Sequence, residues 1–210
     1  ILPQQWLTIN GKTYYLDDEG KRLADEERYI YIPDEGGFYY RFGKSGAMIT
    51  GWYTDNNGNT YYYNETGKAV NGLTEINGET YYFSYNGRVE KNTTVQVEDN
   101  LYYFGEDGKL VKKVAVKENG WLEMPNGWFY VQNYNILRNQ WLTLGENTYY
   151  FGFDGVMYAD RVESIYDNQS GEYIYYWFGV NGNLQKGWYV DKYSNQKMYF
   201  GEDGCAVKGY

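Results

Sequence analysis

Nine times along this chain an aromatic cluster recurs, followed in eight copies by glycine four residues after its last member, and any fold must accommodate that repetition. The copies are YYLDDEG (14–20), YRFGKSG (40–46), YYYNETG (61–67), YYFSYNG (81–87), YYFGEDG (102–108), WFYVQNY (128–134), YYFGFDG (149–155), YWFGVNG (176–182) and MYFGEDG (198–204). Tyr134 replaces the glycine of the sixth copy, and Met198 replaces one aromatic of the ninth. Anchored at 20, 46, 67, 87, 108, 134, 155, 182 and 204, the copies are spaced by 26, 21, 20, 21, 26, 21, 27 and 22 residues. Self-similarity at a fixed period near 21 residues marks a repeat architecture. Three longer units, 21–46, 109–134 and 156–182, each carry five or six extra residues, which read as enlarged loops.

Each unit has the pattern of a β-hairpin. WLTI (6–9) leads into Asn10-Gly11 and then KTYYL (12–16), and Asn-Gly supplies the two left-handed residues of a tight type I′ turn. The dipeptide occurs eight times, with Asn57-Gly58 and Asn77-Gly78 at corresponding turns. A lone hairpin is marginal in water, so successive units have to stack and bury aromatics against one another. The expected fold class is all-β, an elongated β-solenoid of about nine stacked hairpins of 20–27 residues, with residues 1–210 forming one array. A second period lies above the first. ILPQQWLTINGKTYYL (1–16) matches ILRNQWLTLGENTYYF (136–151), and Gly51-Trp52 matches Gly187-Trp188, so residues 1–67 and 136–204 read as a duplicated cassette.

Composition narrows function. Of 210 residues, 28 are Tyr, 7 Trp and 9 Phe, none is His, and the formal charge is -9. The acidic balance opposes a nucleic-acid binder, which needs a basic footprint. Without histidine there is no imidazole acid–base pair, no Ser-His-Asp triad and no common zinc set. The acids recur at one turn position in DDEG, GEDG and GFDG, where Asp favours local backbone bonding, and an active site would be singular. They read as turn formers rather than the carboxylate pair of a glycosidase or a metal site. No cofactor and no metal ligand is expected. Cys205 stands alone, no apolar run is long enough for a membrane span, and the opening Ile1 suggests a processed or excised piece.

The segment GWYTDNNGNTYYYNETGKAVNGLTEINGETYYF (51–83) resembles the cell-wall-binding repeat superfamily, which includes choline-binding modules, glucan-binding repeats of glucansucrases and repeat arrays of clostridial toxins. The resemblance extends over essentially the whole chain. It implies hairpins stacked with roughly threefold screw symmetry, ligands held between successive hairpins, binding rather than catalysis, and an extracellular or cell-surface setting. In the choline-binding type a Trp precedes the paired Tyr. The corresponding positions here are assigned to Thr13, Thr60, Thr80, Leu101, Gly127, Thr148 and Lys197, with Tyr39 and Tyr175 in irregular units. No Trp falls there on this alignment, and the form NGKTYYL resembles the glucan-binding and toxin types instead.

Most aromatics recur in every unit and read as architecture. Trp is selective: Trp52, Trp141 and Trp188 each open the unit after a long one, and Trp6 matches Trp141 within the cassette. A flat indole beside a longer unit suits a sugar platform. Gln5, Gln140, Gln185 and Lys186, which precede these indoles, could bond vicinal hydroxyls. Tyr39, Tyr40, Trp121, Trp128, Tyr130, Tyr176 and Trp177 lie within the long units and complete the candidate set. The expected function is a non-catalytic module that binds α-glucan or another cell-surface glycan multivalently and targets an attached enzyme or adhesin. The alternatives are a choline- or teichoic-acid anchor and a ligand-free spacer.

Overall fold

A computed structural model describes residues 4–207, and no helix occurs among them. Five hairpins follow the sequence pattern closely: β1 (Gln5–Ile9) with β2 (Lys12–Leu16), β3 (Glu26–Ile32) with β4 (Gly36–Phe42), β5 (Gly51–Thr54) with β6 (Thr60–Tyr63), β7 (Gly72–Ile76) with β8 (Glu79–Phe83), and then β9 (Thr93–Val97) with β10 (Asn100–Phe104), to which β11 (Leu110–Ala115) adds a third strand. The second part holds β12 (Asn119–Met124) with β13 (Gly127–Gln132) and the short β14 (Asn135–Ile136), then β15 (Gln140–Leu144) with β16 (Asn147–Phe151), β17 (Arg161–Asp167) with β18 (Glu172–Phe178), and β19 (Gly187–Val190) with β20 (Lys197–Phe200). The chain divides into two compact units, Ile1–Thr93 with Phe104–Val111 and Thr94–Tyr103 with Lys112–Tyr210. Residues 1–3, the start of the segment expected to be duplicated, lie outside the described residues.

Turn chemistry explains the hairpins. Asn10 and Gly11 have φ of 51° and 73°, and Asn77 and Gly78 have 53° and 82°, the paired left-handed residues of the tight turn. Asn57-Gly58 differs from expectation. Only Gly58 is left-handed there, and Asp55 caps a wider turn by accepting N–H bonds from Asn57 at 2.9 Å and Asn59 at 2.8 Å. The long units also differ. Two of them spend their extra residues on seven-residue strands, β3–β4 and β17–β18, and the third on the added strand β11, so none is simply an enlarged loop.

In six linkers the chain turns at the anchor glycine and a residue two positions on bonds back to the hairpin before. Met48 donates to the carbonyl of Thr13 at 2.7 Å, Ala69 to Tyr39 at 2.9 Å and Val89 to Thr60 at 2.8 Å in the first unit. Met157 donates to Trp128 at 2.8 Å, Leu184 to Thr148 at 2.7 Å and Ala206 to Tyr175 at 2.9 Å in the second. The anchor needs glycine for two reasons. Gly67 has φ +80°, and a Cβ there would lie 2.3 Å from the sulfur of Met48. In seven of the nine aromatic clusters the last residue is core: Phe42, Phe83, Phe104, Phe151, Phe178 and Phe200 are fully buried and Tyr63 nearly so. Each such burial stabilises by roughly 1.5–3 kcal/mol.

Candidate functional site

The opening tryptophans sit in one repeated arrangement. Trp6 faces Tyr15 of its own hairpin at 4.8 Å between ring centroids and Tyr40 of the next at 4.9 Å, both edge-on, with Phe42 tilted at 6.1 Å. Trp141 has Tyr150 at 5.0 Å, Tyr176 at 4.8 Å and Phe178 at 5.9 Å. Trp52 has Tyr62, Tyr81 and Phe83 at 5.1, 4.9 and 5.9 Å. Trp188 packs edge-on against its cross-strand partner Tyr199 at 5.2 Å. Edge-to-face rings at this separation attract one another. Trp6, Trp52 and Trp141 therefore join successive hairpins within their units while remaining partly exposed, and Trp188 packs within its own hairpin.

A further such box, around Trp121, was not apparent in the sequence. Trp121 pairs with Tyr130 across its hairpin, as Trp6 pairs with Tyr15, and contacts Tyr149 at 5.1 Å and Phe151 at 5.9 Å in the next. The sixth copy of the signature is slipped by one residue in the alignment above. Its turn is one residue shorter and runs through Asn133 and Tyr134, both left-handed at φ 53° and 62°. Trp128, not Gly127, consequently occupies the position of Thr13 and Thr148, with Glu123 opposite it and Met157 bonded to its carbonyl. This copy does place Trp before its aromatic pair, which corrects the sequence assignment. Gly120-Trp121, repeating Gly51-Trp52 and Gly187-Trp188, was the available signal.

Trp121 and Trp128 stand 6.3 Å apart at 83° and line a cavity of 530 Å³ with Tyr149, Met157, Ala159, Val180 and Asn181. All of these belong to the second unit, and none is ionisable at neutral pH. The first unit holds a cavity of the same volume, 530 Å³, in the same repeat position. Tyr39 replaces Trp128, Ala69 replaces Met157, Asn71 replaces Ala159, and Tyr85 and Asn86 replace Val180 and Asn181. Tyr29, Phe38, Val70 and Gly87 complete its lining. One groove is dominated by indole and thioether, the other by phenols and carboxamides.

The remaining candidates make contacts of their own. Tyr40 and Tyr176 wall the boxes of Trp6 and Trp141, and Tyr130 that of Trp121. Trp177 packs on Tyr189 at 5.4 Å. Gln5 and Gln140 open their strands opposite Leu16 and Phe151. Gln185 donates its amide to the carbonyl of Asn183 at 3.0 Å, and Lys186 pairs with Glu202 at 3.2 Å, so both polar ends are engaged locally. Burial pushes the hydroxyls of Tyr40, Tyr150 and Tyr176 up from the ordinary phenol value and keeps them neutral donors. A third cavity of 260 Å³ brings Glu27 and Asp55 together. Bonds led by the side chain of Asn59 hold Asp55 below the usual carboxylate range, and Glu27 accepts the Tyr63 hydroxyl at 2.7 Å. A glycosidase acid needs the opposite shift.

Comparison with known proteins agrees with this repeat geometry. The family model for choline-binding repeats matches residues 70–113, and that for putative cell wall binding repeats matches 4–21, 50–69 and 139–157. A glucosyltransferase-S of Streptococcus mutans serotype c is 38% identical over 66 residues, 31% of this chain and 4% of that protein, so the chain spans a small fraction of its relative. Similar solved structures include CbpF in complex with ipratropium (20% identity, TM-score 0.45, covering 86% of this chain and 58% of that one). They also include the modular autolysin LytC of Streptococcus pneumoniae (19%, TM-score 0.42, 99% and 49%) and an alternansucrase in complex with isomaltononaose (23%, TM-score 0.33, 97% and 16%). The segments 4–21, 50–113 and 139–157 of this chain are thus similar to the choline-binding and putative cell wall binding repeats.

Proposed function

We propose that the chain is a non-catalytic cell-wall or glucan-binding module whose first unit binds carbohydrate, most simply an α-glucan, and which serves an enzyme or adhesin outside this sequence at the cell surface. The observation that carries this reading is the groove of Tyr29, Tyr39 and Tyr85 with Asn71 and Asn86. Phenol faces stack on the C–H face of a pyranose, and carboxamides donate to and accept from its hydroxyls. A shallow site of this kind gives a single-site Kd of about 0.1–1 mM. The likeness of residues within this chain to a glucosyltransferase supports the choice of glucan. Several weak sites on one chain would raise retention on a polymer by on the order of 10²–10⁴.

A second reading has its own observation, the uncharged pocket of Trp121, Trp128 and Tyr149. Indole faces attract a quaternary ammonium through cation–π interaction, worth about 2 kcal/mol when desolvated. Calorimetric titration with an isomalto-oligosaccharide and separately with choline tests both. Saturable saccharide heat that millimolar choline leaves unchanged supports the first reading. Choline heat without saccharide heat replaces it, and loss of that heat in Trp128→Ala assigns it to the second unit.

A further inference from the structure

Tyr29 lines two cavities of the first unit, the 530 Å³ groove already described and a second of 420 Å³. From the β4 side the first takes Tyr39, and from the neighbouring repeats Asn71 and Asn86. From the β3 side the second takes Arg28 and Tyr31, and from the preceding hairpin Tyr15 and Asp18. The shared side chain is held although it is 55% exposed. Its ring meets Tyr39 edge-on at 5.1 Å and lies across the backbone at Gly37, where a Cβ would fall 1.9 Å from its hydroxyl oxygen. Only a residue without a side chain lets the phenol rest there, so the ring is positioned before any ligand arrives, which lowers the entropy cost of binding.

We infer that Tyr29 is the common wall of two adjoining saccharide subsites on the long hairpin β3–β4, so that the first unit takes an internal stretch of several sugar rings rather than a terminal sugar. This rests on the carbohydrate reading of the first groove. Each cavity lies within the size range that encloses a ligand of a few rings. Their polar groups are complementary in kind. The first offers amides, and the second offers the carboxylate of Asp18 beside the guanidinium of Arg28, itself held by Glu26 at 2.9 Å. A carboxylate accepts from sugar hydroxyls and a guanidinium donates to them. In the second unit the seven-residue hairpin β17–β18 has Ser164 where Tyr29 stands and Tyr173 where Gly37 stands, and the hairpin of Trp128 has Glu123 opposite it, so neither repeats the tyrosine wall.

The test is length dependence. Isomaltose and an eight-ring isomalto-oligosaccharide are titrated into the unsubstituted chain, Tyr29→Ala, Asn71→Ala and Asp18→Ala, with thermal melting as the check on folding. The long ligand should bind the unsubstituted chain about tenfold or more tighter than the short one, the equivalent of one additional well-made subsite. Tyr29→Ala should abolish that gain, and Asn71→Ala and Asp18→Ala should each remove part of it. Tyr29→Ser, which installs the residue of the second unit, repeats the test if the alanine variant melts early. A gain that survives in both Tyr29 variants, or one that only Asn71 or only Asp18 affects, overturns the shared wall while leaving carbohydrate binding intact. Absence of binding by either saccharide to the unsubstituted chain overturns the carbohydrate reading and this inference with it.

Discussion

Tyr39 and Trp128 occupy the same register position, each accepting through its carbonyl the N–H of a linker residue, Ala69 in one unit and Met157 in the other. From that shared backbone the two grooves diverge. The first unit has Asn71 and Tyr85 where the second has Ala159 and Val180, while Asn86 and Asn181 are alike. The stitching bonds and buried Phe residues belong to the repeat and do not vary with ligand. Chemistry is set at four places: the residue before the aromatic pair, the second and fourth residues after the anchor glycine of the next hairpin, and the second residue before the glycine of the hairpin after that. A repeat array can thus change what it binds without touching what folds it.

The strongest way to break this comparison is through the part said to be common. Phe83 and Phe178 are fully buried at the same repeat position in different units. Each substituted by Ala should destabilise its own unit by about 3–5 kcal/mol, because the cavity is left among rings that relax little. Hydrogen exchange resolved by residue, over a denaturant series, would read each unit separately. A loss in one unit less than half that in the other would show that the two scaffolds are not equivalent.

A smaller effect tests how tightly the grooves are closed. Gly87 and Gly182 are the anchor glycines beside the first and second grooves, with φ +76° and +78°. Alanine at either costs about 1–2 kcal/mol for the left-handed backbone alone. At Gly87 the added Cβ meets nothing nearer than 3.7 Å, while at Gly182 it would lie 2.3 Å from the terminal methyl carbon of Met157. Gly182→Ala should therefore be the more destabilising, by less than about 1 kcal/mol because a thioether chain can move aside. It should also alter the response of the Trp121–Trp128 pocket to choline. Equal melting shifts for the two variants would mean that Met157 does not close that groove.

The repeat and its hairpins were legible because glycine and Asn-Gly act locally: a left-handed residue is required wherever the chain turns. The seven-residue strands were hidden behind a spacing argument that counts residues without saying where they go. EERYIYI has the alternation of a strand, yet the extra length was read as loop. The slip in the sixth copy came from Tyr134, a bulky residue in a left-handed turn, which stood where the alignment wanted glycine and displaced Trp128 from its structural position. The grooves were beyond reach for another reason. Each is assembled from residues about fifty positions apart in sequence, such as Tyr39 with Asn86 and Trp128 with Asn181, on three successive hairpins.

The finest comparison concerns how each unit caps a wide hairpin turn. Asp55 between β5 and β6 and Asp191 between β19 and β20 are cassette counterparts, and both carboxyls are held below their ordinary value of 3.8. A depressed folded value means that the stabilisation is present above the ordinary carboxylate range and is lost as pH falls through the folded value, so both turns should loosen on the acid side of that range. The leading causes differ. For Asp55 it is the side-chain amide of Asn59, bonded at 2.9 Å, and for Asp191 it is the backbone N–H of Ser194 at 2.7 Å, followed by the Ser194 hydroxyl at 2.7 Å. Removing a side chain deletes the first cause in one unit and leaves it in the other. In a carboxyl-carbon NMR titration, Asn59→Ala should raise the midpoint of Asp55 more than Ser194→Ala raises that of Asp191, with each variant silent at the other site. Equal displacements, or a larger one at Asp191, would show that the serine hydroxyl rather than the backbone sets the second turn, and that the two units cap this turn through side chains alike.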